Sequence, residues 1–278
     1  MKRALLVLLI SLCGCKSQAP KALRVSMIPT TDPSKAIREM QPLIDYLSQR
    51  TGTKVEMTVP TSYAAVVEAL VNDQVDVAYL GGFTYVQASQ RAGAKPLVQR
   101  DRDREFHSFF VTQAASPIRS LSDLDGHTFA FGDVNSTSGH LMPEYFMREA
   151  RVNPAVIAKA IYTGGHDATL LAVANGKVDA GALDEVVFHK LTTTGKVDPA
   201  SVRVFYTTPP FVDYVWAARK GLDPAQAKAV ATAFLELSAA DPQQKQILAA
   251  LAASKYVAVD DQSYDKLRAA AREAGLLK

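Results

Sequence analysis

The sequence predicts an α/β protein of two similar lobes, each a mostly parallel sheet flanked by helices, the lobes joined by two extended crossovers. Three observations predict it. Short β-rich runs alternate with segments of helical periodicity along the chain, the pattern of sheets covered by connecting helices. A motif, Ala69-x-x-Asn72-x-x-Val75-Asp76-x-x-x-Leu80, recurs 103 residues later as Ala172-x-x-Asn175-x-x-Val178-Asp179-x-x-x-Leu183. The stretch from Leu23 onward is about 256 residues, more than one core usually holds.

Leu23 to Ile28 reads as the first strand. Ser34 to Arg50 follows, with Ile37, Met40, Ile44 and Leu47 at helical spacing and Gly52 as the stop. Lys54 to Val59 is a strand, Tyr63 to Asn72 a helix, Val75 to Leu80 a strand and Phe83 to Ala92 a helix. The alternation resumes after Leu124 with the strand Thr128 to Phe131 and an amphipathic helix from Leu141 to Ala150. A strand Val178 to Leu183 follows. Helices from Pro224 to Ser238 and from Gln262 to Ala274 close the chain.

The same 103-residue shift sets the first strand, Arg24 to Ile28, on His127 to Phe131. It sets Pro33-Ser34-Lys35 on Ser136-Thr137-Ser138, and Tyr63 on His166. Each lobe then offers strand-to-helix turns at the carboxyl edge of its sheet, where ligands bind in open α/β sheets. The extended runs Phe106 to Val111 and Val202 to Tyr206, the latter continuing through Pro209-Pro210 to Trp216, are the expected crossovers. Lobe 1 is expected over 23–110 and 212–278, and lobe 2 over 111–211.

The first residues read as an export signal. Lys2 and Arg3 precede an apolar run, Ala4 to Leu12, too short to span a bilayer. Leu12-Cys13-Gly14-Cys15 resembles a bacterial lipobox, so residues 1–14 are expected to be removed and Cys15 lipidated. Residues 15–22 would form a polar tether to a membrane, in the periplasm or at the cell surface. Ordinary secretion is the alternative. Cys13 and Cys15 are the chain's two cysteines, so a mature chain would carry no disulfide. Removing Lys2 and Arg3 from the 31 Lys and Arg leaves 29 against 28 acidic residues. That balance gives no basic field for nucleic acid.

Asn135-Ser136-Thr137-Ser138-Gly139-His140 carries the strongest functional signal. Three hydroxyls sit where a strand ends and a helix begins, and a helix start has free N–H groups and the positive end of its dipole. The Lys and glycine run of a nucleotide-binding loop are missing, which points to a small oxyanion held and released. The same residues could simply cap a helix. His166 follows Gly164-Gly165 at a helix start and can donate to an anion, or bond a nearby carbonyl. Asp184 and Glu185 follow a strand at a sheet edge, and Asp213 follows Pro209-Pro210. A carboxylate suits a ligand bearing a proton or an amine; the other readings are a cap for Asp184 and solvated loop acids for Glu185 and Asp213. No Gly-x-Ser-x-Gly elbow is present, and the five histidines show no metal-binding spacing. No catalytic residue, metal or cofactor is expected.

The chain resembles the phosphate, phosphite and phosphonate substrate-binding proteins of ABC transporters. The likeness spans Leu23 to Ala252. It rests on Val75 to Gly81 with Tyr85, on Phe131 to Gly139, on Gly165-His166-Asp167 and on Leu171 to Ala182. The resemblance implies the two-lobed type II periplasmic binding-protein fold, with a phosphorus oxyanion between the lobes. It implies that Ser136, Thr137 and Ser138 hold the oxyanion, with Tyr63 and His166 as further oxygen contacts. Asp213 and an acid near Glu185 would read the remaining substituent or proton, and Tyr85 is carried as a further ligand contact. Gly82 stands where the family often has Pro, and Phe106 where a ligand-contacting Tyr is frequent. The partners implied are that small ligand and a membrane permease, with the protein a monomer. A sensory lipoprotein for the same ligands and an exported hydrolase using Ser138 and His166 are the rival readings.

Overall fold

The computed structural model describes residues 22–153, 157 and 159–277. The signal, Cys15 and the tether as far as residue 21 lie outside the described residues. The chain opens with β1 (Leu23–Met27), α1 (Pro33–Thr51), β2 (Val55–Thr58), α2 (Tyr63–Val71), β3 (Val77–Leu80), α3 (Gly82–Ala92) and β4 (Lys95–Arg100). It then crosses to β5 (Ser108–Gln113), β6 (Thr128–Phe131), α4 (Met142–Glu149), β7 (Lys159–Tyr162), α5 (His166–Ala174), β8 (Ala180–Asp184), α6 (Glu185–Thr193) and β9 (Val202–Thr207). It returns through β10 (Val215–Ala218), α7 (Pro224–Leu235), α8 (Pro242–Ala250), β11 (Tyr256–Ala258) and α9 (Asp265–Glu273). Among the described residues no helix is long and apolar enough to cross a membrane.

Two mixed sheets result, one in the order β11-β4-β10-β3-β1-β2 and one in the order β7-β6-β8-β5-β9. Each has a parallel core of three strands, β2-β1-β3 and β7-β6-β8. The strands that carry the chain between sheets, and those beyond them, pair antiparallel. The expected lobe boundary at residue 110 falls inside β5, which lies wholly in the second sheet. The chain has therefore left the first sheet earlier, beside the antiparallel bridge between Phe106 and Phe211.

Local chemistry explains the elements. Asp32 caps α1 by accepting from the Lys35 N–H at 2.7 Å, Pro33 supplies the pre-set first turn, and Gly52 ends the helix at φ 64°. Ala36, Met40, Leu43 and Leu47 form its buried stripe. The first core is built around Trp216, which packs on Tyr79 and Phe234 at centroid distances of 5.0 and 4.9 Å.

The repeat is physical but slips by one residue at the strands. Val25 pairs with Val77 in the first sheet, whereas Phe129 pairs with Ala180 in the second. Val77 and Ala180 are 103 apart; Val25 and Phe129 are 104 apart. The expected match of Arg24–Ile28 with His127–Phe131 is thus one residue short. The two Val-Asp aspartates do related work. Asp76 accepts from the Arg24 N–H at 2.9 Å, and Asp179 from the Thr128 N–H at 2.8 Å.

Asp76 also takes the guanidinium groups of Arg24 at 2.7 Å and Arg219 at 2.8 Å, tying β1, the start of β3 and the end of β10 together. Burial pushes its carboxyl up, but the arginine hydrogen bonds outweigh it and hold it at about 2. A depressed carboxyl contributes stability above its unfolded value and loses it as pH falls through the folded value. Asp76→Asn should therefore destabilise the protein by ~2 kcal/mol at pH 7. The difference should vanish towards pH 2, as measured by urea unfolding across that range.

Candidate functional site

The β6-to-α4 turn is a closed loop before it is a helix. The Gly132 N–H donates to the Gly139 carbonyl at 2.8 Å, and the Ser136 N–H to the Asp133 carbonyl at 2.9 Å. The helix expected from about Leu141 begins at Met142, after a wide turn over Thr137–Leu141 in which the Leu141 N–H reaches back to the Ser136 carbonyl. Such i-to-i+5 turns recur at functional sites. The Ser136 hydroxyl accepts from the Gly139 N–H at 3.0 Å, a helix-capping bond. Glycine is required at 139, since a Cβ there would stand 2.9 Å from Ser136 Oγ and 3.0 Å from His166 Cε1.

Ser136, Thr137 and Ser138 are all buried but have different work. Ser136 caps its own turn. Thr137 Oγ1 accepts from the Phe83 N–H at 3.0 Å, reaching from the second sheet to the start of α3 on the first. Ser138 Oγ has no partner among the described residues.

His166, the first residue of α5, is fully buried. Its Nδ1 stands 3.3 Å from the Asp184 N–H, so Nδ1 accepts and the proton sits on Nε2. Nε2 faces the hydroxyls of Tyr63 at 3.4 Å and Tyr214 at 3.5 Å. Burial lowers the imidazole pKa and prevails over the nearby Asp184, Asp167 and Asp133. The ring is therefore a neutral donor at Nε2. Burial pushes both tyrosine hydroxyls well up, so they keep their protons. The pair Tyr63 and His166 set equivalent by the repeat thus meets in space.

Asp213 and Asp184 reach the same cluster. Asp213 Oδ1 accepts from the Gly82 N–H at 2.9 Å, while its Oδ2 is buried without a partner among the described residues. Burial raises its carboxyl to about 7. Asp184 Oδ1 caps α6 through the Val186 and Val187 N–H groups at 2.5 and 2.9 Å. Its Oδ2 accepts from the Tyr214 hydroxyl at 2.7 Å. Asp184 and Tyr214 also line a cleft of about 650 Å³ between α1 and α6.

Two expected contacts are placed elsewhere. Tyr85 lies one turn into α3, where its hydroxyl donates to Asp261 and its ring packs on Tyr264 at 4.6 Å. Glu185 pairs with Arg102 at 3.4 Å, because Asp184 holds the capping position and the next residue points away from it. Tyr214 was not among the expected residues. It stacks on Tyr79 at 5.2 Å and carries the Arg100 guanidinium 5.0 Å from its ring. Phe106 packs edge-on against it at 5.4 Å. Its neighbour Asp213 was the one signal pointing at this segment.

The cluster offers a small oxyanion neutral donors: the Ser138 hydroxyl, His166 Nε2–H, the Tyr63 hydroxyl and a protonated Asp213, while the Tyr214 proton is given to Asp184. It does not assemble a nucleophile and base, because Ser138 Oγ makes no bond to His166 and the ring presents a proton rather than a lone pair. Among the described residues no group of three His, Cys, Asp or Glu could hold a metal.

Residues 25–264 match the family model described as ABC transporter, phosphonate, periplasmic substrate-binding protein. The probable ABC transporter phosphite binding protein PhnD1 of Prochlorococcus marinus is 30% identical over 272 residues, 93% of this chain and 92% of that protein. The phosphate-import protein PhnD of Mycolicibacterium smegmatis is 33% identical over 232 residues, 78% of this chain and 72% of that protein. The structure of the Prochlorococcus protein in complex with methylphosphonate superposes with a TM-score of 0.88, covering 93% of this chain and 100% of that one at 30% identity.

Asp213 gives the site a pH signature. A carboxyl raised on folding contributes stability that is complete below its unfolded pKa and lost as pH rises through about 7. Asp213→Asn keeps the Gly82 bond and removes the titration. Relative to the wild type, it should gain up to ~4 kcal/mol of ligand-free stability between pH 4 and pH 8, read from urea unfolding at both values.

Proposed function

The chain belongs to the family of phosphonate-binding periplasmic substrate-binding proteins of ABC transporters, and we propose that its own ligand is phosphite or a phosphonate with a small substituent. One observation carries this reading. Among the described residues four buried side-chain polar atoms have no partner, Arg102 Nε, Ser108 Oγ, Ser138 Oγ and Asp213 Oδ2, and the last two belong to the cluster around His166. Each unpaired buried polar atom costs ~1–3 kcal/mol, and a tetrahedral oxyanion bearing one proton or one non-oxygen substituent satisfies both.

The two halves, one around each sheet, act as lobes that close on the ligand. Tyr63 and Asp213 contribute from one side, and Ser138 and His166 from the other. Closure is favoured because only the closed form makes both sets of contacts. Asp213 reads the ligand. Protonated, it donates to an oxygen; ionised, it repels a fully deprotonated anion. A P–H or P–C group in place of one oxygen also removes an acceptor that this site must match, which separates phosphite and methylphosphonate from phosphate. The work of the site is capture and delivery to a permease, and Cys15 carries the lipid that keeps the protein at the membrane.

Calorimetry against phosphite, methylphosphonate, 2-aminoethylphosphonate and phosphate tests the ligand, with binding of the first two strongest. Absence of binding by all four would sink the proposal. Ser138→Ala should weaken the preferred ligand ~10- to 100-fold, the value of one hydrogen bond to a charged group, while the ligand-free unfolding midpoint stays the same or rises. For the anchor, the exported protein should partition into detergent on phase separation, and Cys15→Ser should leave it in the aqueous phase.

A further inference from the structure

His140, at the end of the hydroxyl-rich motif, takes no part in the contacts described so far. It is buried, and it joins three elements. Nδ1 lies 2.7 Å from the Val134 carbonyl in the loop before Ser136. A carbonyl only accepts, so Nδ1 carries a proton. Nε2 lies 3.1 Å from Glu144 Oε2 on α4 and 3.0 Å from the Tyr162 hydroxyl at the end of β7. The ring packs edge-on against Phe131 of β6 at 5.2 Å and Tyr162 at 5.0 Å. Glu144 is itself held by Arg148, and its carboxyl is pulled down to about 2, first by the His140 hydrogen bond. A charged chain on the face of α4 therefore ends on one loop carbonyl.

That carbonyl matters because of where it sits. Asp133 fixes the loop by accepting from the Asn135 N–H at 2.7 Å, and its carbonyl accepts from the Ser136 N–H. Val134 lies between these anchors, two residues before Ser136, and its own carbonyl is held by His140. Without that hold, the Val134–Asn135 peptide is fixed only through its N–H to Asp133, and the orientation of Ser136 to Ser138 is less closely set. We propose that His140 is a positioning residue for the oxyanion loop, locking Val134 to α4 and β7 so that Ser138 is presented in one orientation. It acts through the loop and does not touch the ligand.

The proposal rests on the oxyanion reading for its affinity test, and a ligand-free measurement separates the two. Three variants are compared: His140→Asn, which sets an amide N–H near the place of Nδ1; His140→Gln, which sets one near Nε2; and His140→Phe, which fills the space. Affinity for phosphite and methylphosphonate is measured by calorimetry, well below the unfolding midpoint of each variant. Phe and Gln should weaken binding ~tenfold or more, as misplaced contacts do, and Asn should recover most of the loss. A merely structural role would lower all three unfolding midpoints and leave affinity alone. If Phe does not fold, the contrast of Asn with Gln carries the test. In ligand-free protein, amide exchange at residues 135–139 should speed up in Gln and stay slow in Asn. Equal affinity and equal exchange in Asn and Gln would overturn the proposal. If the wild type binds none of the phosphorus oxyanions, the ligand reading fails while the exchange contrast still decides the role of His140.

Discussion

The N-terminus of α3 is the point on which the rest of the structure depends. Gly81 and Gly82 open this helix, and it has no side-chain cap of its own. Its first N–H groups are instead satisfied from elsewhere in the chain. Asp213, on the returning crossover, takes the Gly82 N–H, and Thr137, on the second sheet, takes the Phe83 N–H. Unpaired N–H groups and the positive dipole end make a helix start attractive to acceptors. Here that attraction joins both halves and the crossover at one place. A Cβ at residue 82 would stand 2.4 Å from Leu267 Cδ1 of α9 and make that side chain shift.

This arrangement divides the three hydroxyls. Thr137 accepts from a helix start on the other half and Ser136 from its own turn, and each keeps an O–H to donate. Ser138 alone is left with a buried oxygen that nothing in the described chain satisfies. It also resolves why an anion site should contain carboxylates. Asp184 is spent on the α6 start and the Tyr214 hydroxyl, so its charge already faces donors. Asp213 is so thoroughly removed from water that its carboxyl sits near neutrality, where it can keep a proton. On the proposed function, the two carboxyl groups of the site are therefore a cap whose oxygens are taken and an acid that can keep its proton.

Much of this was legible in the sequence. Strand-to-helix turns with hydroxyl, glycine and histidine residues marked the sheet edges, and the 103-residue shift paired Tyr63 with His166, whose side chains meet at 3.4 Å. What escaped notice depends on three-dimensional competition. The sequence could not say that Thr137 would be drawn to another helix's N–H, or that Tyr85 would face Asp261, because both partners are distant in the chain. Glu185 and Asp184 are adjacent and alike in composition; only the cap geometry of α6 decides which one turns inward. The apolar run through Phe106 to Val111 announced a crossover, but the residue at which it changed sheets was fixed by a single bridge to Phe211. Tyr214 carried no motif, and its place follows from stacking on Tyr79 and Arg100.

The contacts across the two halves also explain why such a fold can let its ligand go. Lys190 pairs with Glu39 at 3.0 Å and Arg102 with Glu185 at 3.4 Å, both partly exposed. Pairs of that kind contribute ~0–1 kcal/mol each. Gln87 bonds Asn135 at 3.0 Å, and the His166 N–H reaches the Thr30 carbonyl at 3.3 Å. These bonds exchange readily for bonds to water. Against them, closing buries Ser138 and Asp213 with unsatisfied oxygens, at ~1–3 kcal/mol apiece. The buried bonds of Thr137 to the Phe83 N–H and of Tyr214 to Asp184 also hold the halves together, and on the proposed function an occupant of the site adds to them. A ligand that completes both atoms shifts the balance by its full differential affinity, and one that completes neither shifts nothing. On the proposed function, selectivity and closure are then one event, set by the same two atoms.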